Sequence, residues 1–240
     1  MKIPPFLAAA NVAAPKIDYK WTADISNNLL TSDADTKPSL GKAVGRISAR
    51  AAFSLSLASC EWIAARLSGL IDTTDAFMRI EAGWAGAIDP RYAQLPVPKR
   101  GPPTRDVEPV SDALRLAMVL LSRSHDHYLN QQTGGMFISC IRLLLLAEHV
   151  AGRNPVFKTW LPSVLKLLGK EHPYRKKPLS DQSPVAREIL ESVDPPQKID
   201  ATAMQARFLK ELSPESNPYL RTAAVLIQEG VSKDPYRSGG

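Results

Sequence analysis

The chain has 240 residues, which is long enough for one large domain or two small ones. Hydrophobic residues make up 44% of it and charged residues 22%, as in a globular protein that buries a core. The formal net charge is +6, and segment 142–177 alone holds eight basic and two acidic residues. The rest of the chain is therefore electrically balanced, which excludes a uniformly basic protein.

Residues 1–38 show little helical periodicity, and we expect an N-terminal arm and loop. Ile17, Tyr19 and Trp21 alternate with polar residues, which predicts an extended segment packed on helices. The short apolar run near the N-terminus only faintly resembles a signal peptide, because Pro4 and Pro5 interrupt it. We therefore expect a cytoplasmic protein.

Residues 39–88 are expected to form an N-terminal helical layer. Apolar residues recur at helical spacing from Ser39 to about Leu70, and a second apolar stripe starts at Phe53. A helix that is apolar on two sides is buried on two sides, so we predict that this helix is the centre of the fold. A second helix should end near Gly86.

Residues 89–109 contain six prolines, a density that no helix or central strand survives. We interpret them as a proline-rich linker and as the candidate boundary before a C-terminal helical subdomain at 110–231. One compact domain is the alternative. We predict a flexible tail at residues 232–240.

The C-terminal region predicts a helical hairpin and several shorter helices. A helix from Ser111 to about Gln132 and another from Met136 to Ala151 are joined by a tight Gly-Gly link. A capping residue followed by proline predicts further helix starts at Asn154, Ser183 and Asn217, and Asp200 predicts one without proline. The expected fold class is all-α, an irregular bundle of roughly eight helices.

No sequence motif indicates a cofactor, a metal or a nucleotide. Cys60 and Cys140 lie in apolar helical stretches and have no CxxC partner, so we expect buried free thiols, with a disulfide as the alternative. No membrane span is expected, because the most apolar run, 137–147, contains Arg142 and is too short.

Histidines and carboxylates offer only a weak enzyme hypothesis. His125 and His127 lie two residues apart within a helical pattern, so their rings should point to opposite sides. Glu148 and His149 are an acid–base pair on paper, yet adjacent helical residues do not face each other. An enzyme with an unrecognised helical site remains an alternative that uses Glu148, His149 or His125.

Two lone charges interrupt otherwise apolar helices. Unpaired buried charges are costly, so we hypothesise that Glu61 and Arg142 form a buried ion pair. The alternative is that each residue sits on a narrow strip that faces solvent.

The strongest candidate for a functional site is the basic segment. Its candidate partner-binding residues are Lys158, Lys166, Lys170, Arg175, Lys176 and Lys177. A secondary basic ridge is expected at Lys42, Arg46 and Arg50, which are spaced four residues apart. The aromatic residues Trp160, His172 and Tyr174 within the segment make nucleic-acid binding an alternative.

These features favour a non-enzymatic protein-binding module whose partner has an acidic surface. Small bacterial helical proteins without motifs are often immunity proteins, antitoxins, adaptors or chaperones, which is an analogy of class and not of residues. Among these we favour an immunity or antitoxin type that binds and neutralises a cognate toxin. Nucleic-acid binding and an unrecognised enzyme are the alternatives.

Overall fold

A computed structural model describes residues 3–13, 16–98, 108–191 and 200–236. Within these ranges the fold is all-helical, with 64% helix and no strand, which confirms the expected fold class. The α-helices are α1 (Pro5–Ala9), α2 (Ala23–Thr31), α3 (Pro38–Val44), α4 (Ala49–Leu67), α5 (Thr74–Ile88), α6 (Pro109–Leu129), α7 (Thr133–Ala151), α8 (Pro155–Glu171), α9 (Ala201–Lys210) and α10 (Ala223–Gln228). Three short 3-10 turns are Pro90–Tyr92, Leu179–Asp181 and Arg187–Ile189.

The helix predicted from Ser39 to Leu70 is in fact two helices, α3 and α4. The break occurs because Ser48 starts a new helix, its side chain accepting a hydrogen bond from the backbone N–H of Ala51. The backbone N–H of Ser48 donates to the carbonyl of His172 at 2.8 Å, and Ile47 pairs with Pro173 in an isolated bridge. A contact with residues distant along the chain therefore takes the place of one helical turn. Apolar periodicity alone does not reveal such a contact.

Helix α4 is the central helix of the fold, as the double apolar stripe predicts. Every residue from Ala49 to Leu67 is buried except Arg50 and Arg66. Helices α5, α6 and α7 all pack against it, and its Trp62 meets the rings of Phe157 and Trp160 with centroids 5.1 and 5.4 Å away. Burial on all sides explains why small residues alternate with large ones along this helix.

The predicted hairpin is formed by α6 and α7. The link is tighter than expected, since Gly134 and Gly135 lie in the first turn of α7. A Cβ atom at Gly135 would approach the ring of His127 to 2.5 Å, so glycine lets the ring of α6 lie directly against the first turn of α7.

Helix α7 is, by length and composition, apolar enough to cross a membrane, the one such helix among the described residues. It exceeds the short run expected from the sequence. Of its most apolar stretch, 56% is buried inside the bundle, as in the core helix of many proteins.

The described part of the proline-rich linker lies against the helices on both of its sides. The carbonyl of Pro96 accepts hydrogen bonds from Arg79 of α5 at 2.7 Å and from Ser122 of α6 at 3.2 Å. Buried residues before and after the linker belong to one continuous hydrophobic core. Residues 99–107 of the linker lie outside the described residues.

The N-terminal arm contains more helix than the sequence predicts, namely α1 and α2. Thr22 caps α2 by accepting a hydrogen bond from the backbone N–H of Ile25. Between these helices Ile17, Tyr19 and Trp21 pack against the core without forming a helix, as their alternation predicts. Of the flexible tail, residues 237–240 lie outside the described residues.

Two of the four predicted C-terminal helix starts are confirmed. Asn154 caps α8 and Asp200 caps α9, each with its side-chain oxygen. Ser183 starts no helix, because the chain that follows it is extended. Asn217 is also followed by a turn instead of a helix, because its amide nitrogen donates to the Met78 carbonyl at 2.9 Å and so fastens the chain to α5.

The predicted ion pair between Glu61 and Arg142 is wrong, because each of the two residues has a different partner. Glu61 is 1% exposed and accepts hydrogen bonds from Trp84 at 2.8 Å and from Arg187 at 2.9 Å. Arg142 is half-buried, and its Nε donates to the carbonyl of Ser32 at 2.8 Å. Arg187 lies far along the chain in a region without periodicity, so the sequence did not indicate it.

Burial raises the pKa of Glu61 to about 7, because desolvation outweighs the opposing effects of Arg187 and Trp84. The folded protein thus holds this proton more tightly than the unfolded chain does. The contribution of Glu61 to stability is therefore fully present below its usual pKa and is lost as the pH rises through about 7.

We expect Arg187→Met to destabilise the protein in a pH-dependent way. Without the guanidinium, the Glu61 carboxylate would be an uncompensated buried charge, which costs roughly 3–5 kcal/mol. The loss should be largest at about pH 8 and much smaller at about pH 5, where the carboxyl group is protonated. Urea unfolding at both pH values measures this loss of stability.

Arg207→Met is the matched control, since Arg207 is 68% exposed in its ion pair with Glu188. This substitution should lower the free energy of unfolding by less than about 1 kcal/mol. Equal losses for Arg187→Met at both pH values would contradict the role assigned to the pair.

Cys60 and Cys140 are both buried and free, as expected. Burial raises the pKa of the Cys60 thiol, and it raises that of Cys140 to about 12. We expect neither thiol to react with a disulfide reagent in the native protein, because the reactive thiolate is suppressed and the sulfur atoms are inaccessible. Both should react in denaturant, and rapid labelling of the native protein would contradict this placement.

Candidate functional site

The basic segment is carried by α8 and the chain that follows it. Helix α8 is capped by Asn154, whose side chain accepts hydrogen bonds from the backbone N–H groups of Val156 at 2.8 Å and Phe157 at 3.3 Å. One face of the helix is buried in the core. The opposite face carries Lys158, Lys166 and Lys170, all exposed.

Pro162 lies inside α8 without splitting it. The proline is exposed and stands between Lys158 and Lys166 at four-residue intervals, so the three side chains share one slanted stripe on the helix surface. Proline has no N–H, and the carbonyl of Lys158 therefore lacks its usual helical donor.

The chain after α8 is held against the junction of α3 and α4. The backbone N–H of Tyr174 donates to the carbonyl of Arg46 at 2.7 Å. Gln182 donates from its side chain to the carbonyl of Lys177 at 3.2 Å. Between these anchors Arg175, Lys176 and Lys177 are exposed. All six predicted residues are exposed on α8 or on the chain directly after it, and we call them together the basic surface: Lys158, Lys166, Lys170, Arg175, Lys176 and Lys177.

Most of these cations lack an acidic neighbour. Lys170 pairs with Glu171 at 2.9 Å. The other five residues of the basic surface make no ion pair within the part of the chain that the structure describes. Elsewhere on the protein Arg79, Arg115 and Arg221 pair with carboxylates, whereas exposed cations such as Lys16, Arg123 and Lys210 make no ion pair among the described residues. Positive charge is thus left uncompensated along α8.

The secondary basic ridge at Lys42, Arg46 and Arg50 does not form. The break between α3 and α4 separates the three residues, so they do not share a helix face. Arg50 turns inward instead and donates to the carbonyls of Ala87 at 3.1 Å and Ile88 at 2.9 Å, where it caps the end of α5. Arg46 stays exposed, and its backbone joins the segment that carries the basic surface.

The aromatic residues of the basic segment are mostly unavailable to a ligand. Trp160 is fully buried and donates to the carbonyl of Leu190 at 2.8 Å, and His172 is only 8% exposed. Tyr174 is 53% exposed and packs edge-on against Phe137, with ring centroids 6.1 Å apart. Two of the three rings that suggested base stacking are therefore core residues.

His125, a residue of the enzyme alternative, and its neighbour His127 each make a separate local contact. His125 is buried, and its Nε2 lies 3.1 Å from the carbonyl of Pro90. The Nδ1 atom of His127 lies 2.7 Å from the side-chain oxygen of Gln132. In the described ranges no group of three or more histidine, cysteine, aspartate or glutamate side chains is placed to hold a metal ion.

A groove of about 480 Å³ lies at the start of α8, between this helix, the end of α7 and the N-terminal arm. Its lining residues are Tyr19, Lys20, Glu148, His149, Gly152, Arg153, Phe157, Lys158, Leu161 and Pro162. The carboxylate of Glu148 binds Lys37 at 2.5 Å, and the Nε2 of His149 lies 2.6 Å from the carbonyl of Lys20. Both groups thus make structural contacts, and the described lining contains no serine, threonine or cysteine.

The sequence did not indicate this groove. The alternation of Ile17, Tyr19 and Trp21 predicted a packed arm but not its docking site. That site is fixed by the hydrogen bond from Trp21 to Asp112 at 3.0 Å and by the ring of His149, whose centroid lies 5.5 Å from that of Tyr19.

No protein-family model matches the chain, and no curated protein or solved structure matches it. No function is therefore transferred from a relative.

We expect neutralisation of the basic surface to leave stability intact. We consider a fivefold variant with glutamine at Lys166, Lys170, Arg175, Lys176 and Lys177. It loses one exposed ion pair and relieves repulsion between like charges, so its free energy of unfolding should change by less than about 1 kcal/mol. In contrast, Arg79→Gln should cost about 2 kcal/mol, because Arg79 is buried and bonded to Asp75 and Pro96. Thermal unfolding compares the two variants. A larger loss in the fivefold variant would show that these cations serve the fold.

Proposed function

We propose that the protein is a non-enzymatic binding module that holds a partner protein through the basic surface. The observation that carries this proposal is the set of exposed cations on and beside α8 that lack acidic neighbours in the described structure. Like charges that are fixed close together repel one another, and a surface of opposite charge relieves that repulsion. The partner is accordingly a protein with an acidic surface.

The basic surface suits a macromolecule in size and rigidity. Helix α8 has 17 residues, which corresponds to a length of about 25 Å. A standard protein interface buries roughly 800 Å² on each partner, a patch of similar width. Because α8 is fastened to the core by its buried face, binding does not have to order its backbone, and the ordering cost is limited to the exposed side chains.

The geometry favours a protein over a nucleic acid as the partner. Sequence-tolerant binding of single strands relies on aromatic side chains on which bases stack. Trp160 and His172 are buried, which leaves Tyr174 as the exposed ring of the basic segment. If the partner were a nucleic acid, nuclease treatment would abolish the interaction.

A specific form of the proposal makes the partner a toxin that this protein neutralises, as an immunity protein or antitoxin does. What supports it is an analogy of class: small helical proteins that lack catalytic motifs often belong to this group, and no residue match is involved. In this form, covering an acidic substrate-binding or receptor-binding surface of the toxin is sufficient for inhibition.

The test is affinity capture from an extract of the native host. The wild-type protein should retain one dominant partner, and the fivefold glutamine variant of the basic surface should lose it. Retention should weaken as salt is raised, since exposed charges are screened, and should survive nuclease treatment of the extract. If the recovered partner inhibits growth when expressed alone, co-expression of the wild-type protein should restore growth.

The matched control replaces five exposed cations outside the basic surface with glutamine: Lys16, Arg123, Arg207, Lys210 and Lys233. It carries the same change in net charge and should keep the partner. If both variants lost the partner equally, the protein's net charge alone would account for the capture. Capture that disappears after nuclease treatment would replace the proposal with nucleic-acid binding, and a partner without toxicity would overturn the toxin form.

A further inference from the structure

The groove at the start of α8 combines an apolar floor with a cationic rim. Phe157 and Leu161, which are 2% and 5% exposed, lie in the floor, beside the exposed ring of Pro162. Lys20 and Arg153 are exposed on its rim. Such a site buries an apolar group and places positive charge around it.

The rim is electrically uncompensated. Glu148 is the single carboxylate among the described lining residues, and Lys37 neutralises it, with Nζ–O distances of 2.5 and 2.8 Å. Lys20, Arg153 and Lys158 make no ion pair within the described residues. A ligand with carboxylates beside an apolar group therefore fits the groove in both chemistry and charge.

The groove also continues into the basic surface. Lys158 belongs to both, and the stripe from Lys158 through Pro162 and Lys166 leads to Lys170. An occupant that uses the groove and the stripe together must be extended along about 18 Å of helix, since twelve residues separate its ends. That length fits a chain segment and exceeds a small molecule.

We propose that the groove is an anchor pocket for an acidic segment of the partner protein. A large apolar side chain of that segment enters between Phe157, Leu161 and Pro162, and flanking carboxylates pair with Lys20, Arg153 and Lys158. This inference rests on the proposed function, because it assigns the part of the interface where binding energy concentrates.

The experiment uses defined probes. A fluorescent peptide with a central tryptophan between runs of glutamate is compared with the same peptide carrying alanine in place of tryptophan, and with indole-3-propionate. We expect the tryptophan peptide to bind at least roughly tenfold more tightly than either, a difference of about 1.4 kcal/mol or more. Fluorescence polarisation of the wild-type protein gives both peptide affinities, and displacement of the tryptophan peptide gives that of the small acid.

Charge-reversal variants test the rim. Arg153→Glu combined with Lys158→Glu should weaken binding of the tryptophan peptide by at least roughly tenfold, since both residues are exposed and line the groove. Lys210→Glu combined with Lys233→Glu is the matched control with the same change in charge, and it should leave the affinity within roughly twofold.

A methyl label reports the location of binding. Leu161→Met conserves volume, so the fold should tolerate it, and the labelled methyl at position 161 should shift when the tryptophan peptide is added. The methyl of Met204 on α9 should not shift. If this variant fails to fold, the affinities of the wild-type protein and the rim variants still decide the question.

Several results would overturn the anchor pocket. Equal affinity for the alanine peptide would show that the groove adds nothing to charge attraction, and a small acid that binds as tightly as the peptide would make the groove a small-molecule site. Loss of binding in the control reversal variant would show attraction by net charge alone. None of these results affects the capture experiment, which alone decides whether the basic surface holds a partner.

Discussion

The whole architecture depends on the burial of α4 on every side. A helix with one apolar stripe needs a single neighbour, but α4 exposes only parts of Arg50 and Arg66 and so requires a complete shell. Helices α5, α6 and α7 form most of that shell, and Trp62 extends the contact to Phe157 and Trp160 of α8. Because α8 must bury this face, its opposite face is held rigidly toward solvent.

The same burial explains how the charges are arranged. The charge of a carboxylate within the central helix must be compensated, and Glu61 accepts hydrogen bonds from Arg187 and Trp84. Arg50, near the start of α4, binds the free carbonyls at the end of α5. Charges near the core are thus used for the fold, whereas five cations on and beside α8 are paired with no described carboxylate. Exposed cations without an ion pair also lie elsewhere, but they are concentrated on α8 and the chain that follows it, and this concentration makes α8 the candidate for recognition.

The N-terminal arm converts the basic face of α8 from a flat stripe into a surface with a groove. Trp21 and Tyr19 dock beside His149, and Arg66 pairs with Asp18 at 2.8 Å. These contacts bring Lys20 into the lining of the same groove as Arg153 and Lys158. A segment without strong secondary structure therefore contributes to the site only through its tertiary contacts, and neither its alternation nor its composition predicts which helix it meets.

The sequence by itself determined the helical class, the central position of the helix after Phe53, the hairpin of α6 and α7, and the position of the basic segment. Each of these depends on neighbouring residues: apolar spacing, capping side chains and local charge. Only the tertiary structure decided that Arg187 pairs with Glu61, that Arg50 faces inward, that Trp160 is buried, and that the arm completes a groove. These depend on contacts between residues distant along the chain, and such contacts leave no periodic signal because many packings satisfy the same local pattern. The fold class was therefore readable from the chain, and the shape of the candidate site was not.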